Sequence, residues 1–259
     1  MEELARLFPQ WQQIMWGFGL VFLRIGAIVS FIPVFGEQSI PARVRFAIAF
    51  TFSAIVYPAI ANNVPPMPAD LVGTLTICAP EVIAGIFFGL LLRFFVIALQ
   101  TAGSIAAQST SLSQIFGGTA GADAQPAIGH VLVISGLALA AVMGLHVEFA
   151  RYMIHGYTLV PLGILVPSAT VSAFGLATVS QTFALGFTLS APFVLASLIY
   201  NVTLGIINKA MPQLMVSFVG APAITAGGLF LLFVTAPIML SIWIDRMGQF
   251  IMSPETVIP

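Results

Sequence analysis

Long apolar stretches separated by short polar turns set the pattern of this chain, and six such blocks can be drawn. The first, Ile14–Val34, is interrupted by Arg24 and ends at a polar turn holding Gly36, Glu37, Gln38, Ser39, Pro41, Arg43 and Arg45. Phe46–Ala61 follows, and it is short for a perpendicular span, which needs about 20 residues to cross a core of about 30 Å. Asn62, Asn63, Pro65, Pro66 and Pro68 then form a segment that must be non-helical, because each proline fixes its own dihedral and disfavours helix in the residue before it. Leu71–Leu99 carries Pro80, Glu81 and Arg93 within its apolar run. A Gly/Ser/Thr/Gln-rich stretch, Thr101–Gln125, leads to Ala127–Val147, then to polar Glu148–Tyr157 and a Pro161–Pro167 turn. Val171–Ile207 is apolar around Pro192, Asn208–Pro222 is a mixed connector, and Ala223–Ile244 is the last block, closed by Asp245 and Arg246.

These lengths fit a stack of simple spans badly. A continuous helix over Val171–Ile207 would run about 55 Å, so kinks or breaks at Pro80, Pro192 and Pro237 are the expected resolution. Irregular backbone at such depth is tolerated only where protein or a water-filled cavity surrounds it. The pattern therefore leaves two readings open: an ordinary bundle with proline kinks, or a chain packed within a larger assembly or lining a path.

Composition settles the solvent. Only 7% of the 259 residues are charged against 59% hydrophobic, where a water-soluble domain has about 25% charged residues. With a mean hydropathy of +1.07, the chain reads as one integral membrane unit with lipid among its partners. The first run is too long, and its leader too poor in basic residues, for a cleaved signal peptide; it reads as a retained first helix. A net charge of −1 and the lack of a basic patch argue against a nucleic-acid partner. Cys78 is the single cysteine, which excludes an intrachain disulfide and suits a buried small hydrophobe. The connector arginines and lysine are too few for the positive-inside rule to orient the chain.

Charges inside apolar runs are costly and mark the places to look. Glu81, Gly85, Gly89 and Arg93 recur every fourth residue, and so lie near one helix face. Gly85-x-x-x-Gly89 lets a neighbouring helix backbone come close. One reading is a packing face with a charge near each end; the other is that Glu81 and Arg93 pair with charges on neighbouring chains. Arg24 and Arg93 have no acid close by in sequence, so their partners must come from elsewhere in the fold or from another subunit. Catalysis finds little support. His130, His146 and His155 are the only histidines, and His146-x-Glu148 lacks the spacing of a zinc-protease helix. Gly117–Ala122 is glycine-rich but is followed by Asp123, not by the lysine and hydroxyl of a phosphate loop. The expectation is a non-enzyme with no cofactor and no metal.

Four segments in register resemble the FliR family, the flagellar members of the type III secretion export-gate proteins. They are Arg24 with Pro33-Val-Phe-Gly36 and Ile40-Pro-Ala-Arg43-Val-Arg45; Glu81 with Gly85 and Gly89; Gly144-Leu-His146 through His155-Gly-Tyr-Thr-Leu-Val-Pro161; and Ala210-Met-Pro212-Gln213-Leu214 with Val216 and Gly220-Ala-Pro222. Met215 stands where the family usually has Asn. The resemblance implies an all-α, membrane-associated protein of long, kinked helical hairpins, with residues 1–170 FliP-like and 171–259 a FliQ-like hairpin region. It implies a hetero-oligomeric gate with FliP and FliQ in the bacterial inner membrane, at the flagellar basal body, with FlhB and FlhA nearby and unfolded export substrates passing through. By position the family's channel plug maps to residues 108–118, with Gln108, Ser111, Ser113, Ile115, Phe116, Gly117 and Gly118 as its candidates. Arg24, Glu81, Gly85, Gly89, Arg93, Met211, Pro212 and Gln213 are the candidate subunit contacts. The equivalent subunit of a virulence injectisome and a small secondary transporter are the competing readings; the transporter would show internal repeats, and none is visible.

Overall fold

A computed structural model of the protein describes residues 2–110, 127–211 and 216–254. The described residues hold helices and no strand. In chain order they are α1 (Glu2–Phe31), α2 (Ala42–Ile60), a single tight helical turn (Ala61–Asn63), α3 (Leu71–Ser109), α4 (Ala127–Val142), α5 (Leu145–Leu159), α6 (Ser168–Ala210) and α7 (Val216–Met252). Five of the helices are long and apolar enough to cross a membrane, or six spans result if α4 and α5 count as one broken crossing. The chain is thus an all-α membrane protein, as its composition required.

Local chemistry explains where the helices start. Pro41 precedes α2 with φ −58, and its carbonyl accepts from the backbone N–H groups of Val44 and Arg45. Arg43 and Arg45 therefore belong to the first turn of α2, and the block that looked short from Phe46 is a full-length helix. Asp70 caps α3: its carboxylate accepts from the Gly73 N–H at 3.1 Å, as an N-cap acid should. Backbone groups in hydrocarbon must be satisfied internally, and helix hydroxyls follow the same rule. Ser53, Thr101, Thr188 and Thr235 each donate to the carbonyl four residues back.

The expected proline breaks do not occur. α3 runs through Pro80, α6 through Pro192, and α7 through Pro222 and Pro237. A proline removes one helical hydrogen bond, and neighbouring helices compensate for it in membrane proteins. The break falls instead between α4 and α5, inside the block drawn as Ala127–Val147, where Gly144 takes a left-handed φ of +75. Polar Glu148–Tyr157 is helical within α5, and α3 continues to Ser109 through residues expected to be a connector.

Two compact units emerge. The first is built from Met1–Phe94, Ala141–Thr178 and Met247–Pro259. In it α2 packs on α1 and α5, and Leu20, Val21, Arg24, Ile25, Ile28 and Val29 form the buried stripe of α1, at the spacing a helix face requires. Edge-to-face rings, Phe18 on Phe50 at 5.2 Å and Phe22 on Phe46 at 5.3 Å, join α1 to α2. The second unit is built from Phe95–Ala140 and Val179–Arg246. Its centre is Trp243, wholly buried, whose indole N–H donates to the Phe95 carbonyl at 2.7 Å. There α3 and α4 touch backbone to backbone, since a Cβ on Gly103 would meet Gly129.

Candidate functional site

Arg24 lies on the buried stripe of α1, one turn from Leu20 and Ile28. Facing it on α3 is Gly85, where an added Cβ would run into the Arg24 carbonyl and stand 2.6 Å from the Ala27 Cβ. Only a residue without a side chain allows α1 and α3 to approach so closely. That approach brings the Arg24 side chain level with Glu81, one turn before Gly85.

The guanidinium meets the carboxylate through two parallel hydrogen bonds, Nε to Oε2 at 2.8 Å and Nη2 to Oε1 at 3.0 Å. Neither side chain has any exposed surface. The remaining donors of Arg24 reach the segment after α5: Nη1 donates to the Val160 carbonyl at 2.7 Å and Nη2 to the Pro161 carbonyl at 3.4 Å. Glu81 Oε1 also accepts from the Gly163 N–H at 2.7 Å, in a turn where Gly163 has φ +75, a conformation glycine adopts at no steric cost. The Tyr157 ring lies under the guanidinium, 4.1 Å from Cζ to the ring centroid, a cation–π contact that gains strength when desolvated. One ion pair thus fastens α1, α3, α5 and the turn that follows α5. The charges cancel and the carboxylate accepts three hydrogen bonds, so the arrangement holds elements together and presents no free nucleophile or base.

A second pair closes the far end of α1. Arg93 on α3 donates through Nη1 to the Glu37 carboxylate in the α1–α2 connection, and both side chains are part-exposed. Arg45 Nη2 donates to the main-chain carbonyls of Glu37 at 3.1 Å and Ile40 at 3.3 Å.

The acids missing from the sequence reading are therefore within the chain. Glu81 answers Arg24, and Glu37 answers Arg93, so of the two sources left open, elsewhere in the fold or another subunit, the fold itself supplies both acids. Arg24 and Glu81 are sealed inside their unit. Gly85 and Gly89 likewise face α1; a Cβ on Gly89 would lie 3.0 Å from the Phe31 Cβ and 3.1 Å from the Ile28 carbonyl. Met211 is exposed at the end of α6, while Pro212 and Gln213 lie outside the described residues. Gln108 is exposed in the last turn of α3; Ser111, Ser113, Ile115, Phe116, Gly117 and Gly118 lie outside the described residues. Sequence reasoning missed Glu37, Tyr157 and the Val160–Gly163 turn as site residues. Main-chain acceptors have no side-chain signature, though Tyr157 and Pro161 fall in a segment already marked by resemblance. Among the described residues no group of three or more His, Cys, Asp or Glu could hold a metal ion.

Comparison with known proteins bears on the same residues. A family described as bacterial export proteins, family 1, matches residues 15–250. The flagellar biosynthetic protein FliR of Caulobacter vibrioides is 34% identical over 233 residues, covering 90% of this chain and 93% of the relative. The proteins of the same name from Escherichia coli and Bacillus subtilis are 25% identical over 219 residues and 26% over 227. These two alignments cover 84% and 86% of this chain, and 83% and 84% of the relatives.

Proposed function

Because the chain belongs to the bacterial export proteins, family 1, and to the FliR proteins within it, we propose that it is a non-enzymatic core subunit of the flagellar type III export gate. In this reading it assembles with FliP and FliQ in the bacterial inner membrane, at the flagellar basal body, with FlhB and FlhA nearby. Unfolded flagellar substrates pass through the channel the assembly forms. Residues 1–170 act as the FliP-like part and 171–259 as the FliQ-like hairpin region.

One observation carries the assembly: the apolar surface of two long helices, α6 and α7, is left uncovered by the chain itself. α6 and its neighbour α7 are 43 and 37 residues long, about 65 and 55 Å, against a hydrocarbon core of about 30 Å. In their most apolar stretches only 28% and 11% of residues are buried within the chain. Lipid can cover about half of such a length; neighbouring subunits suit the rest. Met211, exposed where α6 ends, and the Pro212 and Gln213 that follow are placed here as subunit contacts. Residues 108–118 serve as the plug of the closed channel, with Ile115 and Phe116 as its apolar obstruction, and Gly117, Gly118 and Gly121 let the loop swing aside.

The test is to extract the tagged chain from membranes in mild detergent and identify what comes with it. FliP and FliQ are expected in fixed ratio, in a particle far heavier than 27.4 kDa. A stable monomer recovered without other small membrane proteins overturns the proposal.

A further inference from the structure

Val34 is the one non-glycine residue with positive φ, +72, among the described residues. A β-branched side chain is a steric outlier there. The turn around it is tight: the Phe35 N–H donates to the Pro33 carbonyl at 2.9 Å and the Gly36 N–H to the Ile32 carbonyl at 2.8 Å. A three-residue turn with positive φ at its centre is the rare, strained kind. Strain of this sort persists only where the surroundings over-determine it, and here they do so from three helices. The Phe35 ring sits edge-on to Phe52 of α2 and Phe149 of α5. Two residues on, Glu37 is gripped twice, by Arg93 of α3 at its carboxylate and by Arg45 of α2 at its carbonyl.

We infer that the connection from Ile32 to Ile40 is a loaded strap, a strained turn latched by Glu37 that sets the register of α3 against the α1–α2 hairpin and relaxes when the latch is released. The geometry explains the two-handed grip. A slide of α3 pulls on the Glu37 carboxylate through Arg93, while Arg45 keeps the Glu37 and Ile40 carbonyls with α2. The segment between the two grips and α1 must absorb the movement, and Val34 is its least comfortable residue. Leaving the left-handed conformation releases strain, so the turn favours movement once Glu37 is free and opposes nothing until then.

Hydrogen exchange on the purified complex reads this directly at the Phe35, Gly36 and Ile40 amides, each of which donates a hydrogen bond inside the strap. E37Q is expected to speed their exchange about tenfold, the factor that a left-handed non-glycine residue implies. V34G, which touches neither arginine, is expected to slow exchange below the unaltered chain, and V34G/E37Q to return it most of the way. Should E37Q fail to accumulate, R93Q opens the same latch from α3. Exchange unchanged in the latch variants, or faster in V34G than in the unaltered chain, overturns the strap. Flagellar protein export adds a second readout, which rests on the proposed function: V34G should assemble normally and export more slowly. The exchange result does not depend on that reading, so a chain that purifies without FliP and FliQ yet shows the V34G rescue loses the gate and keeps the strap.

Discussion

Arg24 and Glu81 are charged side chains with no exposed surface in a chain that has few charges to spend. A buried ion pair holds only while both partners are present, because removing one leaves the other uncompensated at a cost of about 3–5 kcal/mol. R24A and E81A are each expected to lower unfolding stability in detergent by that order. The joint replacement R24M/E81M should recover a large part of it, since no lone charge remains. Each single change also strands main-chain groups: R24A the Val160 and Pro161 carbonyls, and E81A the Gly163 N–H. Additive losses in the double variant would show that the two side chains do not act as a pair. Both charges were legible as oddities in apolar runs, and so was Arg93. Their partners were legible only in part: Glu81 was marked as a charge but not as the answer to Arg24, and Glu37 was hidden among five other polar or turn residues between α1 and α2.

At the scale of elements, α1 and α3 are set in register by contacts at two heights. Glu81 and Arg93 stand about 18 Å apart along α3, and each grips the α1 side, through Arg24 and Glu37. Between them the two glycines admit the α1 backbone to different degrees. At Gly85 a Cβ would overlap the Arg24 carbonyl, whereas at Gly89 the nearest atom would stand 3.0 Å away. G85A is therefore expected to cost about 1–3 kcal/mol, as overpacking does, and G89A clearly less, measured by thermal unfolding of the chain in detergent. G19A is the control, because nothing stands within 4 Å of its Cβ position. Equal losses at all three positions would mean that helix approach is not what the glycines serve. The four-residue spacing of Gly85 and Gly89 made this face readable in advance. Helix boundaries were harder. Arg43 and Arg45 looked like the end of a polar turn but open α2, and prolines that read as breaks lie inside continuous helices. The true break at Gly144 needed a left-handed backbone, which an apolar block does not advertise.

For the whole molecule, the deciding quantity is helix length against membrane thickness. α3, at 39 residues, runs about 58 Å, nearly twice the hydrocarbon core, and α6 and α7 are similar. The misfit was visible in the block lengths, and it persists in the structure, where these helices run unbroken through their prolines. Apolar helices that outrun the bilayer need protein around them, which favours a multi-subunit channel over a small transporter in which each helix spans once. A channel that carries unfolded chains must also stay closed to ions between substrates, and that requirement gives the proposed plug its test. Deleting Ser111–Gly117 removes Ile115 and Phe116 while leaving the helices on either side intact. The assembled complex carrying the deletion is expected to leak small ions across the membrane, read as conductance in planar bilayers, with the intact complex silent. Assembly is scored in the same preparation by recovery of FliP and FliQ, so that a leak is counted only from complete particles. If complete particles with the deletion stay as tight as intact ones, residues 108–118 do not close the channel and the seal must come from another part of the assembly.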